Sequence, residues 1–331
     1  MSAAQTTKPD LAPAKQKASR GAGSGNSRKP GKADRKGPGA TPWLLLAPCL
    51  LIIVLIMGYP LFRLVTLSFQ NFGKTELWGF KEAQWVGFDN FTKVLGDGEF
   101  WAVVLRTVLF AVGAVVLTMV IGMLIALLLQ RVSGFVKILI SVALVASWGM
   151  PIIVATAVFK WLFDTDYGVL NYLLDKLPGV DMVGHNWFAS GPQGLMVIML
   201  LVIWGAVPFI VITLSAGLTQ VPKELEEAAR LDGAGAWGVF RHVTLPIMKP
   251  IIVMLTTLSV IWDMGVFPQV FVMRNGNPES EFQLLTTYSY QQAFVVNDYS
   301  GGSAIALVTV LLLLGVVAVY MRQMLKIGEV E

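Results

Sequence analysis

The chain has 331 residues, of which 55% are hydrophobic and only 14% are charged. Ordinary soluble domains carry charge on about a quarter of their residues, so this composition excludes a soluble globular protein. The formal net charge of +4 comes from the amino terminus, because residues 1–42 contain nine Lys or Arg residues and only two Asp residues. The rest of the chain gives no electrostatic reason to expect nucleic acid as a partner.

Cysteine and histidine are scarce. Cys49 is the single cysteine and lies inside an apolar run, so no intrachain disulfide can form. His185 and His242 stand apart from each other in separate stretches. We therefore expect no metal site.

Residues 1–42 contain no aromatic residue and are rich in Lys, Arg, Gly, Ser and Pro. Such a segment cannot bury enough apolar surface to offset the entropy of ordering, which predicts a disordered basic cytoplasmic tail. We favour a solvated tail that keeps the amino terminus inside the cell. The alternative is a tail held near anionic membrane lipid.

Six apolar segments follow the tail, and each is near the roughly 20 residues needed to cross a bilayer as a helix. They predict an all-α polytopic membrane protein with transmembrane helices at about 43–64, 103–129, 138–163, 195–218, 247–273 and 303–324. Lys and Arg residues in the short loops lie on the same side as the basic tail, which places both termini in the cytoplasm. Residues 325–331 would then be a cytoplasmic C-terminus.

A polar stretch, Val221 to Pro250, interrupts the apolar pattern. Pro222 suits the start of a helix, and Gly233 can take the left-handed conformation that ends one. A second short helix is predicted from Ala236 to Val243, before Pro246. On the first helix, Glu226 and Arg230 form a favourably ordered i, i+4 pair.

The second short helix carries two large aromatic residues, Trp237 and Phe240. The loop contains too few apolar residues to form its own core, so it requires a partner. We expect Trp237 and Phe240 to pack back against the membrane domain.

The spacing within this stretch resembles the EAA signature of membrane subunits of binding-protein-dependent ABC importers. Glu227-Ala228-Ala229 is followed after three residues by Gly233, and Gly233 is followed after nine residues by Val243. The family usually has isoleucine at the position of Val243. Leu245-Pro246 completes the signature. The surrounding pattern is similar to the carbohydrate (maltose and oligosaccharide) branch of these permeases. Short motifs in the same order extend the resemblance over roughly residues 43–322, including Tyr59-Pro60 and Trp204 with Pro208-Phe209.

The resemblance implies a type I ABC importer permease. Residues 43–100 would hold the first span and an external loop, and 101–324 the importer domain, with a cytoplasmic coupling loop at 219–250. The implied partners are a second homologous permease subunit, two ATPase subunits or an ATPase dimer, and an extracytoplasmic sugar-binding protein, in contact with membrane lipid. The residues implied to contact the ATPase are Glu227, Ala228, Ala229, Asp232, Gly233, Leu245 and Pro246.

The chain itself has no nucleotide-hydrolysing motif. Gly73-Lys74-Thr75 imitates the end of a P-loop, but Ser68 stands where the first glycine is required. We therefore expect no cofactor and no enzymatic activity in this chain, with ATP and Mg²⁺ bound by the partner ATPase.

Asp263 is an acidic residue well inside the fifth apolar segment. A carboxylate there should face protein or water, which makes it a candidate for a translocation path; an interhelical hydrogen bond or salt bridge is the alternative. A carboxylate and aromatic ring faces suit a neutral sugar. For Trp148 and Trp161 we favour interfacial anchoring.

The family resemblance implies that the fourth and fifth helices line the substrate pathway. Carried over to this chain, that implicates Gly205, Phe209, Trp262, Asp263, Met264, Gly265 and Gln269. A permease for a non-sugar solute such as a polyamine or phosphate is one alternative. An ATP-independent secondary carrier is another, which the EAA signature disfavours.

Overall fold

The computed structural model describes residues 41–328, and side chains from Leu44 to Arg322. The predicted tail therefore lies outside the described residues, except that Thr41 and Pro42 begin the first helix. The predicted all-α class is confirmed. The helices are α1 (Thr41–Ile53), α2 (Tyr59–Ser68), α3 (Lys74–Leu77), α4 (Asp89–Gly96), α5 (Gly98–Leu129), α6 (Gly134–Trp148), α7 (Ile152–Leu162), α8 (Val169–Asp175), α9 (Gly191–Leu218), α10 (Lys223–Leu231), α11 (Ala236–Val239), α12 (Leu245–Met264), α13 (Pro268–Met273), α14 (Leu285–Tyr290) and α15 (Tyr299–Gly328).

The described secondary structure also includes three π-helical turns, one 3₁₀ turn and a small hairpin. The π turns cover Val54–Gly58, Phe240–Thr244 and Gln291–Val295, and Ser280–Phe282 is a 3₁₀ turn. Strands β1 (Gln70–Asn71) and β2 (Gln84–Trp85) pair antiparallel. The hairpin thus follows directly on α2.

Contacts divide the chain into Met1–Leu55 and Ile56–Glu331. In the first unit, the described side chains are apolar and exposed, as expected for a helix surrounded by lipid. In the second unit, α5 and α9 pack along each other, α12 packs against both of them, and α15 packs against α2 and α12.

Within residues 41–328, five helices are long and apolar enough to cross a membrane, and one bent helix pair raises the number to six. The five are Leu44–Ser68, Gly98–Leu129, Gly191–Leu218, Ala236–Met264 and Tyr299–Arg322. These correspond to the predicted first, second, fourth, fifth and sixth spans. The second, fourth and sixth begin at Gly98, Gly191 and Tyr299, before the predicted starts at 103, 195 and 303, because polar residues such as Glu99 and Tyr299 continue the helices past the apolar core.

The predicted third span, 138–163, is wrong as a single straight helix. It consists of α6 and α7, which are bent by 99° at the break between Trp148 and Ile152. Pro151 causes the break, because proline lacks a backbone N–H and disfavours helical geometry in the residue before it. Gly149, beside it, ends α6.

The predicted second short helix, Ala236 to Val243, is also wrong in its extent. Helical backbone continues from Ala236 through the π turn to Met264, so Pro246 lies within the helix, in the turn that follows the π turn. The predicted fifth span, 247–273, is too long at its carboxyl end, because the observed helix stops at Met264. Gly265 ends the helix, and a turn precedes α13.

Glycine allows the central helices to approach closely. A Cβ atom on Gly122 of α5 would lie 2.5 Å from Ile210 Cγ2 on α9, and one on Gly217 of α9 would lie 2.7 Å from Ile251 Cδ1 on α12. Both distances are too short for non-bonded carbon atoms. At Gly122 the branched Ile210 side chain leaves no room for a methyl group between α5 and α9, whereas at Gly217 the nearest atom is the flexible end of Ile251 and a side-chain shift would make room.

The segment 274–284 connects the amino-terminal ends of α5 and α9 through hydrogen bonds. Arg106 on α5 donates to the carbonyl oxygens of Ser280 (2.6 Å) and Gln283 (2.9 Å), and the Glu281 carboxylate accepts from the Gly191 N–H of α9 at 2.8 Å. The Arg274 guanidinium, hydrogen-bonded to Glu279 at 2.5 Å, holds the pKa of that carboxyl below its usual value. Hydrogen bonds across the loop thus close this end of the bundle.

We predict that Gly122→Ala lowers the free energy of unfolding by about 1–3 kcal/mol, because the new methyl group overlaps Ile210. Gly315→Ala in α15 is the matched control, since nothing lies within 4 Å of its Cβ position. Thermal unfolding of the two detergent-purified variants measures the difference. Equal midpoints for Gly122→Ala and Gly315→Ala would contradict the close packing of α5 on α9.

Candidate functional site

A cavity of about 290 Å³ lies between α6, α7, α9, α12 and α13. Its walls are mainly apolar and aromatic, with a few polar groups. Such a composition is typical of a small-molecule site. The lining residues are Ser147, Trp148, Met150, Ile152, Leu201, Val202, Trp204, Gly205, Ala206, Trp262, Asp263, Val266 and Gln269.

Two breaks in helical spans border this cavity. One is the bend between α6 and α7, which contributes Met150 and Ile152, and the other is the turn after α12, which contributes Val266. Irregular backbone within a membrane is tolerated where it is buried in protein or lines a cavity, because lipid cannot satisfy its polar groups. The position of both breaks is thus explained by the cavity between them.

Two polar side chains in the cavity wall have unpaired oxygen atoms. Asp263 is 4% exposed, and its Oδ2 atom has no hydrogen-bond partner among the described residues; the same holds for Oε1 of Gln269. Of the two alternatives for Asp263, the geometry favours the cavity group over the satisfied interhelical bond. Buried oxygens without a partner carry a desolvation cost that a bound hydrogen-bond donor would remove.

Three aromatic rings lie in a row at this site, of which the first two are stacked and the third is tilted. Trp148 stacks on Phe209, with ring centroids 6.0 Å apart, and Phe209 lies 5.5 Å from Trp262. Trp148 therefore borders the cavity, at a position just before the helix break. Its side chain is 54% exposed, and the interfacial anchoring that we favoured for it stays a prediction.

The predicted pathway residues divide into three groups. Gly205, Trp262, Asp263 and Gln269 line the cavity, and Phe209 supports it through the ring stack. Met264 points elsewhere, into a core cluster with Val103, Leu285 and Ile305, and Gly265 ends α12 beside the cavity. Met264 is therefore a packing residue, because successive residues of a helix face different directions and its neighbour Asp263 faces the cavity.

Val221 to Pro250 forms a second candidate site. Pro222 precedes α10 as predicted, and Gly233 follows it with φ at +90°, a left-handed conformation that side chains with a Cβ rarely adopt. The predicted pair is present, with Arg230 Nη2 3.8 Å from Glu226 Oε2. These features fix the short helix and the turn after it.

Large apolar side chains project from this unit without covering partners in the described chain. Leu231 is 89% exposed, Trp237 69% and Leu225 49%. The prediction that Trp237 packs back against the membrane domain is therefore wrong, whereas Phe240 is half-buried. The sequence analysis did not select Leu231, although an apolar residue at a polar helix end is a signal that could have identified it.

The residues implied as ATPase contacts occupy two places. Glu227, Ala228, Asp232 and Gly233 are exposed on or just after α10, and Ala229 is half-buried there. Leu245 and Pro246 lie in the first turn of α12 and are exposed as well. Together with the exposed apolar side chains, the first group forms a surface suited to a protein partner.

Comparison with known proteins relates this geometry to a family. Residues 118–326 match the family described as the inner membrane component of binding-protein-dependent transport systems. The chain is 39% identical to the diacetylchitobiose uptake system permease protein DasB of Streptomyces coelicolor, over 99% of each chain. It is 34% identical to the sulfoquinovosyl glycerol transport system permease protein SmoG of Agrobacterium fabrum, over 84% of this chain and 88% of the relative.

A solved structure has the same fold. A chain of a bacterial ABC transporter involved in the import of the acidic polysaccharide alginate superposes with a TM-score of 0.70 at 20% identity. The match covers 87% of this chain and 96% of that chain.

We predict that a cysteine in place of Gly205 reacts with a water-soluble methanethiosulfonate reagent, because open space surrounds this glycine in the cavity wall. The native Cys49 is exposed and is first replaced by serine. Ala114→Cys in the same background is the control, since Ala114 is 0% exposed. Labelling at 205 should be faster by about tenfold or more, and equal rates would show that the cavity is closed to water.

Proposed function

The chain belongs to the family of inner membrane components of binding-protein-dependent transport systems, and we propose that it is a permease subunit of an ATP-driven importer of oligosaccharides. It would form half of the translocation pathway. The observation that carries the sugar assignment is the similarity to the diacetylchitobiose permease over 99% of both chains.

The chemistry of the cavity supports a neutral sugar. Sugar hydroxyl groups would donate to the unpaired oxygens of Asp263 and Gln269, which supply acceptors without a resident donor. The ring faces of Trp262 and Trp148 offer apolar surface for the C–H face of a pyranose. A cavity of about 290 Å³ accommodates one or two sugar rings at a time.

The unit from Val221 to Pro250 supports coupling to a separate ATPase. Its exposed surface includes Ala228 and Gly233, whose small side chains allow close contact, and Leu231, whose burial by a partner would stabilise the complex by about 1.5–3 kcal/mol. Glu227 would supply a charged contact on the same surface. ATP and Mg²⁺ would be bound by two such ATPase subunits, and this chain would carry no cofactor of its own.

The proposed orientation places α10 and both termini in the cytoplasm of a bacterial-type cell. The Lys and Arg residues of the short loops support it, since positive charge is retained on the cytoplasmic side. The longer acidic loops would face outward, where an extracytoplasmic sugar-binding protein delivers its solute. The basic tail, as proposed from the sequence, helps to keep the amino terminus inside.

The mechanism couples two sites on one helix. Closure of the ATPase subunits on ATP would displace α10, and the helix from Ala236 to Met264 would carry the motion to Trp262 and Asp263. With a second homologous permease subunit, the cavity would open outward and receive the sugar, and hydrolysis would return it to the inward-open state. In this scheme the chain transmits motion and catalyses no reaction.

The rival functions differ in their requirements. A permease for a polyamine or phosphate would need a different binding protein, and the named relatives that transport saccharides disfavour it. An ATP-independent carrier would follow an ion gradient. Isolating the binding protein that co-purifies with this subunit and identifying its bound solute decides among them, since a saccharide supports the proposal and a polyamine or phosphate contradicts it.

We predict that Gly233→Val abolishes ATP-dependent uptake while the chain still inserts into the membrane. Valine is strained at a φ of +90°, so the turn after α10 must rearrange. Gly235→Ala is the matched control, because Gly235 has a φ of −69° and open space at its Cβ position. Uptake of labelled sugar into vesicles measures the effect, and normal uptake by Gly233→Val would refute the coupling assignment.

We predict that Asp263→Leu lowers sugar-stimulated ATP hydrolysis in the reconstituted complex by about tenfold, the loss of one or more hydrogen bonds to a charged group. Asp263→Asn keeps one acceptor oxygen and should lose less. Hydrolysis is measured with and without saturated binding protein. If Asp263→Leu retained full stimulation, Asp263 would not belong to the pathway.

A further inference from the structure

The contact between α10 and the rest of the chain includes one hydrogen bond between side chains. Thr244 Oγ1 donates to Glu226 Oε1 at 3.3 Å. Thr244 is 4% exposed and lies at the end of the π turn, whereas the Glu226 side chain is 30% exposed. The backbone between α10 and α11 is glycine-rich, with Gly233 and Gly235, and would not by itself keep the two helices in register.

Thr244 differs from five threonines of the described helices. A helical threonine hydroxyl usually donates to the carbonyl oxygen of its own helix, four residues earlier. The bonds of that kind, at 2.7–2.9 Å, are made by Thr107, Thr156, Thr213, Thr257 and Thr309. Thr244 instead donates outside its helix.

The π turn accounts for the difference. The Leu245 N–H donates to the Phe240 carbonyl, five residues earlier, so the hydrogen-bond register slips by one residue where Thr244 stands. With the register shifted, the hydroxyl is directed toward α10. A π turn costs stability relative to a regular helix, and such turns frequently occur at functional sites.

We propose that Glu226 is a positioning residue that fastens α10 to the helix running from Ala236 to Met264 through the Thr244 hydroxyl, so that displacement of α10 reaches the cavity. Thr244 is 19 residues before Asp263, about 28 Å along a helix that rises 1.5 Å per residue. Arg230, 3.8 Å from Glu226 Oε2, holds the other carboxylate oxygen and orients the group. The inference rests on the proposed function and adds a named contact through which the motion passes.

The functional test uses the reconstituted complex with its ATPase, partner permease and binding protein, and diacetylchitobiose as the probe. Glu226→Leu and Thr244→Val should each reduce the ratio of stimulated to basal ATP hydrolysis by roughly fivefold, the loss of one hydrogen bond. The double variant should lose no more than either single variant, because both substitutions remove the same contact. Additive losses would overturn the proposal.

Conservative variants separate this role from simple packing. Glu226→Gln keeps an acceptor oxygen and Thr244→Ser keeps the hydroxyl, so both should restore the ratio to within twofold of the unmodified chain. Thr257→Val is the matched control on the same helix, because Thr257 bonds its own backbone. Loss of stimulation in Thr257→Val equal to that in Thr244→Val would also overturn the proposal.

A second readout does not depend on the sugar. Amide hydrogen exchange over Lys223–Leu231, in the detergent-purified complex without ATP, should be faster by about fivefold in Glu226→Leu and in Thr244→Val. Glu226→Gln should exchange like the unmodified chain, and unchanged exchange in both disruptive variants would contradict the contact. If no oligosaccharide stimulates the unmodified complex, the proposed function fails, whereas the exchange rates still decide whether Glu226 fastens α10.

Discussion

The hydrogen-bonding demand of the backbone inside a membrane determines most of this structure. Hydrocarbon offers no partner for N–H or C=O groups, so segments that cross it must be helical unless protein or water satisfies them. The two breaks in the spans, at Gly149–Pro151 and after Met264, lie on the same cavity. The backbone is irregular where water in the cavity or surrounding protein can satisfy its polar groups, and the candidate site lies at these irregular segments.

A second consequence follows from the continuity of the helix from Ala236 to Met264. One end of this helix contacts α10, and the other end carries Trp262 and Asp263. A helix transmits axial displacement with little loss, because each residue is hydrogen-bonded to the next turn. The tight glycine contacts at Gly122 and Gly217 hold α5, α9 and α12 together, so motion would be shared by this group of helices rather than absorbed between them.

Much of the fold could be predicted from the sequence, because long apolar segments leave few alternatives to membrane-spanning helices. The α10 helix, its ion pair and the left-handed Gly233 also followed from local chemistry. What could not be predicted was which face of each span meets protein. In α5 the residues are apolar all round, and only the structure distinguishes the buried Val103 and Ala114 from the exposed Leu105 and Leu109.

The bend in the third span and the continuous helix through Pro246 show two further limits of prediction from the sequence. Pro151 stood inside an apolar segment of ordinary length, and nothing local indicated whether the chain would kink slightly or turn by 99°. Pro246 looked like a helix terminator, yet the helix continues through it, directly after the π turn. In both cases tertiary packing selected among conformations that the local sequence allowed.

The charge of the cavity sets an electrostatic filter on what enters it. Among its described lining residues, Asp263 is acidic and none is basic. An anion that enters such a cavity loses part of its hydration and meets no compensating positive charge among these residues. The cavity would therefore discriminate against uronic acids and sugar phosphates and favour uncharged solutes, even where size and shape are the same.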